Sequence, residues 1–192
     1  MYGSRPITAE EHVLVMKTLS EDHIGFRKSP TVILILSIMA STGLRLGDTL
    51  QLKMKNITSV GGMFRLRVRE EKTDKVRDVP LPAGLYMAIT EYCMANHRNR
   101  NERIFQISER AVSKKIKKVV EFLELGDDVT SHSWRKFFAM TVYSETGGSL
   151  VDTSSALMHA SLATTQRYLS VNSARLEEVL LNNCQIVNTE EE

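Results

Sequence analysis

The stretch SPTVILILSIMASTG, residues 29 to 43, is apolar on every face. A helix of that kind has no side to offer to water and must be enclosed by the rest of its fold. Gly43 supplies a stop, so the segment reads as a buried helix, although its β-branched residues keep a buried strand open as the competitor. Its longest apolar run, Val32 to Ala40 interrupted by Ser37, is about half of the ~20 residues that a membrane span requires. No basic-then-apolar leader opens the sequence. A soluble, cytoplasmic protein with no membrane partner is expected. With 192 residues and 42% apolar content, one sizeable core can form, and a single domain over residues 1–192 follows.

Around that segment the hydrophobic period changes twice. TAEEHVLVMKTL opens with a Thr cap and Glu in the first turn, and places Val13, Met16, Lys17 and Leu19 on one helical face. LGDTLQLKMKNI continues as a short amphipathic helix. From Met63 the pattern alternates strictly, with Phe64, Leu66 and Val68 on one face and Arg65, Arg67 and Arg69 on the other. EKTDK and a second extended run, VRDVPLP, complete a hairpin whose tip carries Lys72. Helical periodicity then returns in AGLYMAITEYCMANH and in SERAVSKKIKKVVEFLEL, where Val112, Ile116, Val119 and Leu123 face inward. It continues in WRKFFAMTVYSET and SARLEEVLLNNC. The pattern predicts a mainly helical α+β fold with a small antiparallel sheet and no internal repeat.

The net charge of +2 hides a segregation. Residues 63–118 hold 14 of the 25 Lys and Arg but only 7 of the 23 Asp and Glu, a local excess of seven positive charges. That is the footprint of a nucleic-acid face, with Arg65, Arg67, Arg69, Lys75, Lys114, Lys115, Lys117 and Lys118 as DNA-binding candidates. The competing reading is a solvated lysine helix plus a charged strand face. Cys93 and Cys184 have no metal-ligand spacing with the histidines, so reduced thiols are expected, with neither a disulfide nor a metal site.

Three constellations need a chemical reason. In STGLRLGDTL, Arg45 follows the end of the buried helix, where a guanidinium is costly unless an anion pairs with it. In TSHSWRKFFA, His132 and Arg135 are three apart and share one helical face. In SALMHASLATTQRYLS, His159 and Tyr168 stand nine positions apart in a nearly uncharged segment. Each alone is more often a satisfied structural residue than a reactive one.

Together and in this order they resemble the catalytic domain of the tyrosine recombinases, the phage-integrase family. The resemblance spans nearly the whole chain. It implies that Arg45 and Arg135 are phosphate-clamping arginines, Lys72 the hairpin lysine, His132 and His159 the two histidines, and Tyr168 the nucleophile. Asp48 falls at the family's supporting acidic position. Met158 stands where the family usually has the glycine of LGH, and Lys136 where a second histidine commonly follows the arginine. The family also usually places a helical DNA-clamping domain before the point marked here by ITAEE. The chain therefore resembles either a catalytic domain alone or a short fimbrial-invertase type of member.

The implied activity is site-specific cleavage and rejoining of double-stranded DNA through a 3′-phosphotyrosyl intermediate. Two arginines and an imidazole meet charge on the non-bridging oxygens without a metal, and no cofactor is required. A tyrosine with an intrinsic pKa near 10 needs help to lose its proton, a task that suits His132. The departing 5′ oxygen needs a proton, which an ammonium at a hairpin tip can deliver. The resemblance further implies a monomer that becomes a tetramer when synapsed on DNA, with residues 172–192 exchanged between protomers. A non-catalytic DNA-binding regulator on the same fold, and a type IB topoisomerase relative, remain open.

Overall fold

The computed structural model describes residues 3–158 and 162–169, and of residues 164 and 167–169 only the backbone. The chain runs α1 (Ala9–Ser20), α2 (Pro30–Thr42), α3 (Leu46–Leu50), a 3-10 turn (Met54–Asn56), β1 (Ile57–Val60), β2 (Met63–Arg69) and β3 (Val76–Leu81). It continues through α4 (Ala83–Ala95), α5 (Glu109–Phe122), α6 (Ser131–Glu145), α7 (Leu150–Leu157) and α8 (Leu162–Leu169). The class is the mainly helical α+β expected, with one antiparallel sheet in the order β1-β2-β3.

The apolar segment is a helix, and the competing strand reading falls. Val32, Ile35, Leu36, Ile38 and Met39 of α2 are buried, and α1, α3, α4, α6 and β3 all pack against this helix. It ends at Gly43, whose φ of 66° lies in the left-handed region; an added Cβ would stand 2.4 Å from the Phe138 ring. Both the conformation and the close approach exclude a side chain there.

Two expectations need correction, and one helix was not foreseen. LGDTLQLKMKNI is not one amphipathic helix: α3 stops at Leu50, a 3-10 turn follows, and Ile57 already starts β1. Period reasoning missed β1 because only Ile57 of its four residues is buried, so no alternation shows. In α1 the buried positions are Val15, Thr18 and Leu19, while Val13 is exposed. The helix docks through a face turned from the one expected, with its start set by the Thr8–Glu11 capping box and by Arg5, which grips Glu11 through two nitrogens. Finally, Leu150–Leu157 forms a separate helix with Ser149 as its cap. The segment SARLEEVLLNNC and Cys184 lie outside the described residues. Cys93 is a buried free thiol, pushed up in pKa by burial.

The hairpin forms as expected. Leu66 pairs with Val79 and Val68 with Arg77, so Leu66, Val68, Val79 and Leu81 share the inward face. Glu71 to Asp74 make the tip, closed by the Asp74 amide donating to the Glu70 carbonyl at 2.9 Å. Asp74 takes a positive φ there, which aspartate tolerates better than most residues. Lys72 of the tip lines a cleft together with Arg45 and Leu46, where α2 gives way to α3.

Candidate active site

The inward face of the hairpin does not end in apolar residues. Extending the alternation one step puts Glu70 on it, and the paired strand contributes Arg77. Both are shut from solvent, Glu70 at 0% and Arg77 at 1% exposure. Sequence reasoning missed both, yet the signal was present: residues 64, 66, 68 and 70 have the same parity.

Glu70 is a hub. One carboxylate oxygen accepts from Arg45 Nη1 at 2.7 Å and from Thr73 Oγ1 at 2.9 Å. The other accepts from Arg77 Nη1 at 2.8 Å and lies 3.8 Å from Arg135 Nη1. Burial alone pushes a carboxyl upward in pKa, but the hydrogen bonds from Arg45, Arg77 and Thr73 outweigh it and hold Glu70 below the usual carboxylate range. It is an anion throughout the neutral range. Removing one partner of such a set strands a buried charge, at a cost of about 3–5 kcal/mol.

The anion that Arg45 required is therefore the protein's own. Asp48, one turn along, stands 3.7 Å from Arg45 Nη1 through one oxygen and accepts the Glu71 amide at 2.9 Å through the other. It thus ties α3 to the hairpin tip. Arg135, on the buried side of α6, donates to the Gly43 carbonyl and to the Leu157 carbonyl, the latter at 3.1 Å. Arg77 donates to the Ala156 carbonyl. Lys75 Nζ approaches the Met158 carbonyl at 3.4 Å. Three consecutive carbonyls at the end of α7 thus receive three cations, where a helix C-terminus favours positive charge.

The structure brings Arg45, Lys72, His132 and Arg135 to one place. A cleft of about 400 Å³ is lined by Arg45, Asp48, Lys72, Glu109, Ser131 and His132 among others. Thr130 caps α6 and orients its first turn, which carries His132 at the cleft and Arg135 behind it. Desolvation lowers the pKa of His132, and the nearby charges of Arg135, Arg45, Lys72 and Lys136 push the same way. Its imidazole is neutral at pH 7. His159 and the Tyr168 side chain lie outside the described residues; the backbone of Tyr168 falls in α8, which packs on α6 and α7. Met158 ends α7 with φ 54° and ψ 36°, the left-handed conformation that glycine adopts without strain. The departure from LGH therefore sits at a position with a backbone reason for glycine.

The DNA-binding candidates are not gathered in the same way. Arg65 pairs with Asp78 at 2.7 Å and Arg69 with Asp74 at 3.0 Å, on the outer face of the sheet that also carries Arg67. On α5, Lys115 donates to Ser29 Oγ at 3.1 Å and Lys118 to the Gly25 carbonyl at 3.2 Å, while Lys117 lies 3.6 Å from Glu121. Lys114 is exposed. Among the described residues there is no cluster of His, Cys, Asp and Glu able to hold a metal ion, and no helix long and apolar enough to cross a membrane.

Residues 6–175 match the model of the phage integrase family. Tyrosine recombinase XerC of Pelobacter propionicus is 33% identical over 166 residues, covering 83% of this chain and 52% of the relative. Tyrosine recombinase XerA of Pyrococcus furiosus is 31% identical over 183 residues, covering 92% and 60%. The chain spans about half the length of several curated relatives it matches. Among solved structures, XerH site-specific recombinase bound to a palindromic difH substrate superposes with a TM-score of 0.75 at 23% identity, over 93% of this chain and 53% of that one. The catalytic domain of bacteriophage HP1 integrase gives 0.64 at 18% identity and covers 94% and 95%, so the fold is that of an integrase catalytic domain. With the motifs in order, the hairpin in place and the family model matched over nearly all of its length, the chain belongs to the phage integrase family.

Proposed function

We propose that this chain catalyses site-specific DNA recombination of the integrase or invertase type, cleaving and rejoining double-stranded DNA through a 3′-phosphotyrosyl intermediate. The observation that carries the reading is the pair of arginines, Arg45 bonded to the buried Glu70 carboxylate and Arg135 3.8 Å from it, beside a cleft that also receives Lys72 and His132.

In this reading the scissile phosphate enters the cleft, and Arg45 and Arg135 meet the charge growing on its non-bridging oxygens. Tyr168 attacks phosphorus, and its phenolic proton passes to the neutral imidazole of His132. The bond from phosphorus to the 5′ oxygen breaks, and that oxygen leaves as a hydroxyl with a proton from Lys72. His159 stands by resemblance as a further donor to the phosphate. Rejoining reverses these steps with a 5′ hydroxyl from the same or a partner strand. No cofactor enters, because the tyrosyl ester keeps the energy of the phosphodiester. A base whose pKa is held below 6.5 loses activity as pH falls below that value, so the cleavage rate should decline on the acid side and be little changed around pH 7.

The same reading extends to assembly and place. The free chain is a monomer and forms a tetramer on paired sites, with residues 172–192 passed to a neighbour in a head-to-tail ring that closes by rotation. A DNA substrate puts the protein in the cytoplasm, with the nucleoid. Sedimentation of the full chain and of a truncation after Val171 on one-site and two-site DNA tests the tail: only the full chain should form the larger complex.

The deciding experiment recovers a bound duplex from a random-sequence pool, introduces nicks to trap cleavage, and resolves products on a denaturing gel. A covalent adduct with wild type and none with Tyr168→Phe, at DNA affinities within a few-fold, is expected. DNA binding with no adduct would instead identify a non-catalytic regulator. Adducts with relaxation of supercoiled DNA but no exchange between sites would identify a type IB topoisomerase.

A further inference from the structure

We propose that Glu70 is the positioning residue of the phosphate clamp: its buried carboxylate sets where the Arg45 guanidinium stands, next to that of Arg135, relative to the DNA phosphate. The assignment rests on the phosphodiester chemistry proposed above.

Arg45 precedes α3 and Arg135 lies on α6, and nothing in their sequence separation sets their mutual distance. Arg135 donates to the Gly43 and Leu157 carbonyls, and Glu70, 3.8 Å from it, ties Arg45 to the same place. Its two oxygens are engaged separately, by Arg45 and Thr73 on one and by Arg77 on the other, with Arg135 Nη1 3.8 Å from the second. Arg77 acts as the anchor. It is buried and its second terminal nitrogen is held by the Ala156 carbonyl, so Glu70 is gripped between the hairpin and α7. A guanidinium is a planar fork, and pinning one of its nitrogens fixes the direction of the others. Arg45 is bonded to Glu70 through Nη1, and its side chain keeps 23% exposure beside the cleft.

Positioning and plain electrostatics predict opposite signs here. A carboxylate close to the cleft opposes negative charge developing on a phosphate, so if its field were what mattered, neutralising it would speed cleavage. If it acts by holding Arg45, neutralising it slows cleavage, because a displacement of about 1 Å costs on the order of 10²-fold in rate. DNA affinity is spared or improved, since no cationic group is removed.

The test compares Glu70→Gln with wild type on the selected duplex and on the same duplex with one non-bridging oxygen of the cleaved phosphate replaced by methyl, which removes its charge. Glu70→Gln should lower single-turnover cleavage of the ordinary duplex by about 10²-fold, with affinity within a few-fold. On the neutral linkage, where the clamp has less charge to meet, the loss should shrink to a few-fold, as it should for Arg45→Ala. An equal loss on both linkages, or faster cleavage, overturns the proposal. Should Glu70→Gln not fold, Thr73→Val removes one neutral bond to the same carboxylate oxygen and should show a smaller loss with the same dependence on linkage charge; no such loss overturns it. A nitrogen-15 measurement of guanidinium rotation in the free protein separates this claim from the function it rests on. Arg45 should rotate slowly in wild type and faster in Glu70→Gln even if no adduct ever forms, and fast rotation in wild type overturns the assignment.

Discussion

Arg77 and Lys117 come from the same basic stretch of sequence and have opposite physical surroundings. The Arg77 side chain is 1% exposed and donates to a buried carboxylate and to a helix end. The Lys117 side chain is 73% exposed and lies 3.6 Å from Glu121, one helical turn away. A charge count over residues 63–118 gives the two equal weight. Burial separates them: desolvation makes a buried cation commit to fixed partners, whereas an exposed one is screened within about 8–10 Å and exchanges partners with ions and water. The Glu70 cluster is thus suited to orient groups for chemistry, and α5 to add attraction without geometry.

The largest effect that sharpens this contrast is expected at the hairpin tip. Lys72 lines the cleft with Arg45 and His132, whereas Lys75 is turned toward the Met158 carbonyl. Lys72→Ala should slow cleavage by about 10²–10⁴-fold, the usual span for a lost general acid. Replacing the leaving 5′ oxygen by sulfur, which departs without a proton, should restore the rate. Lys75→Ala should be slowed less and gain nothing from sulfur. Rescue of Lys75→Ala instead would assign the acid to Lys75.

A smaller effect is expected on α5. Four free lysines each neutralising a phosphate would contribute a slope of about 0.9 apiece in log K against log salt. Lys115 and Lys118 are already bonded to Ser29 and Gly25, and Lys117 lies beside Glu121. Changing Lys114, Lys115, Lys117 and Lys118 to Ala should therefore lower the slope by less than about 2. A drop near the full sum would mean that DNA pulls these lysines off their internal partners, and the contrast with the buried cluster would weaken.

What the sequence made legible follows the same division. The hairpin, the buried α2 and the H-x-x-R helix were readable because each is announced by local periodicity and caps. Glu70 and Arg77 were readable in principle from strand parity, but an alternation is naturally stopped at its last apolar residue, Val68, one step too early. The three carbonyls at the end of α7 that receive Arg77, Arg135 and Lys75 could not be foreseen, because contacts separated by 22 to 83 positions leave no periodic trace. The internal partners of the α5 lysines were illegible for the same reason, since sequence shows a charge but not the hydroxyl or carbonyl that Lys115 and Lys118 reach.

The smallest effect concerns two helix ends with the same backbone shape. α2 ends at Gly43 and α7 at Met158, both left-handed. Met158→Gly should stabilise the fold by about 1 kcal/mol through relief of that conformation, raising Tm by about 2–4 °C. Gly43→Ala should destabilise it, because its Cβ would enter the Phe138 ring. A lower Tm for Met158→Gly would show that the methionine side chain contributes more by packing than its backbone costs.

The division of labour between buried and exposed charge is tested most directly by measuring two quantities on the same samples: single-turnover adduct formation at saturating protein, and DNA affinity at fixed salt. Arg135→Gln should lose about 10²–10³-fold in rate, as expected for one preorganised donor, with affinity within a few-fold. The four-lysine variant should do the reverse, binding more weakly while its saturated rate stays within a few-fold of wild type. Rate and affinity falling together in both variants would contradict the account.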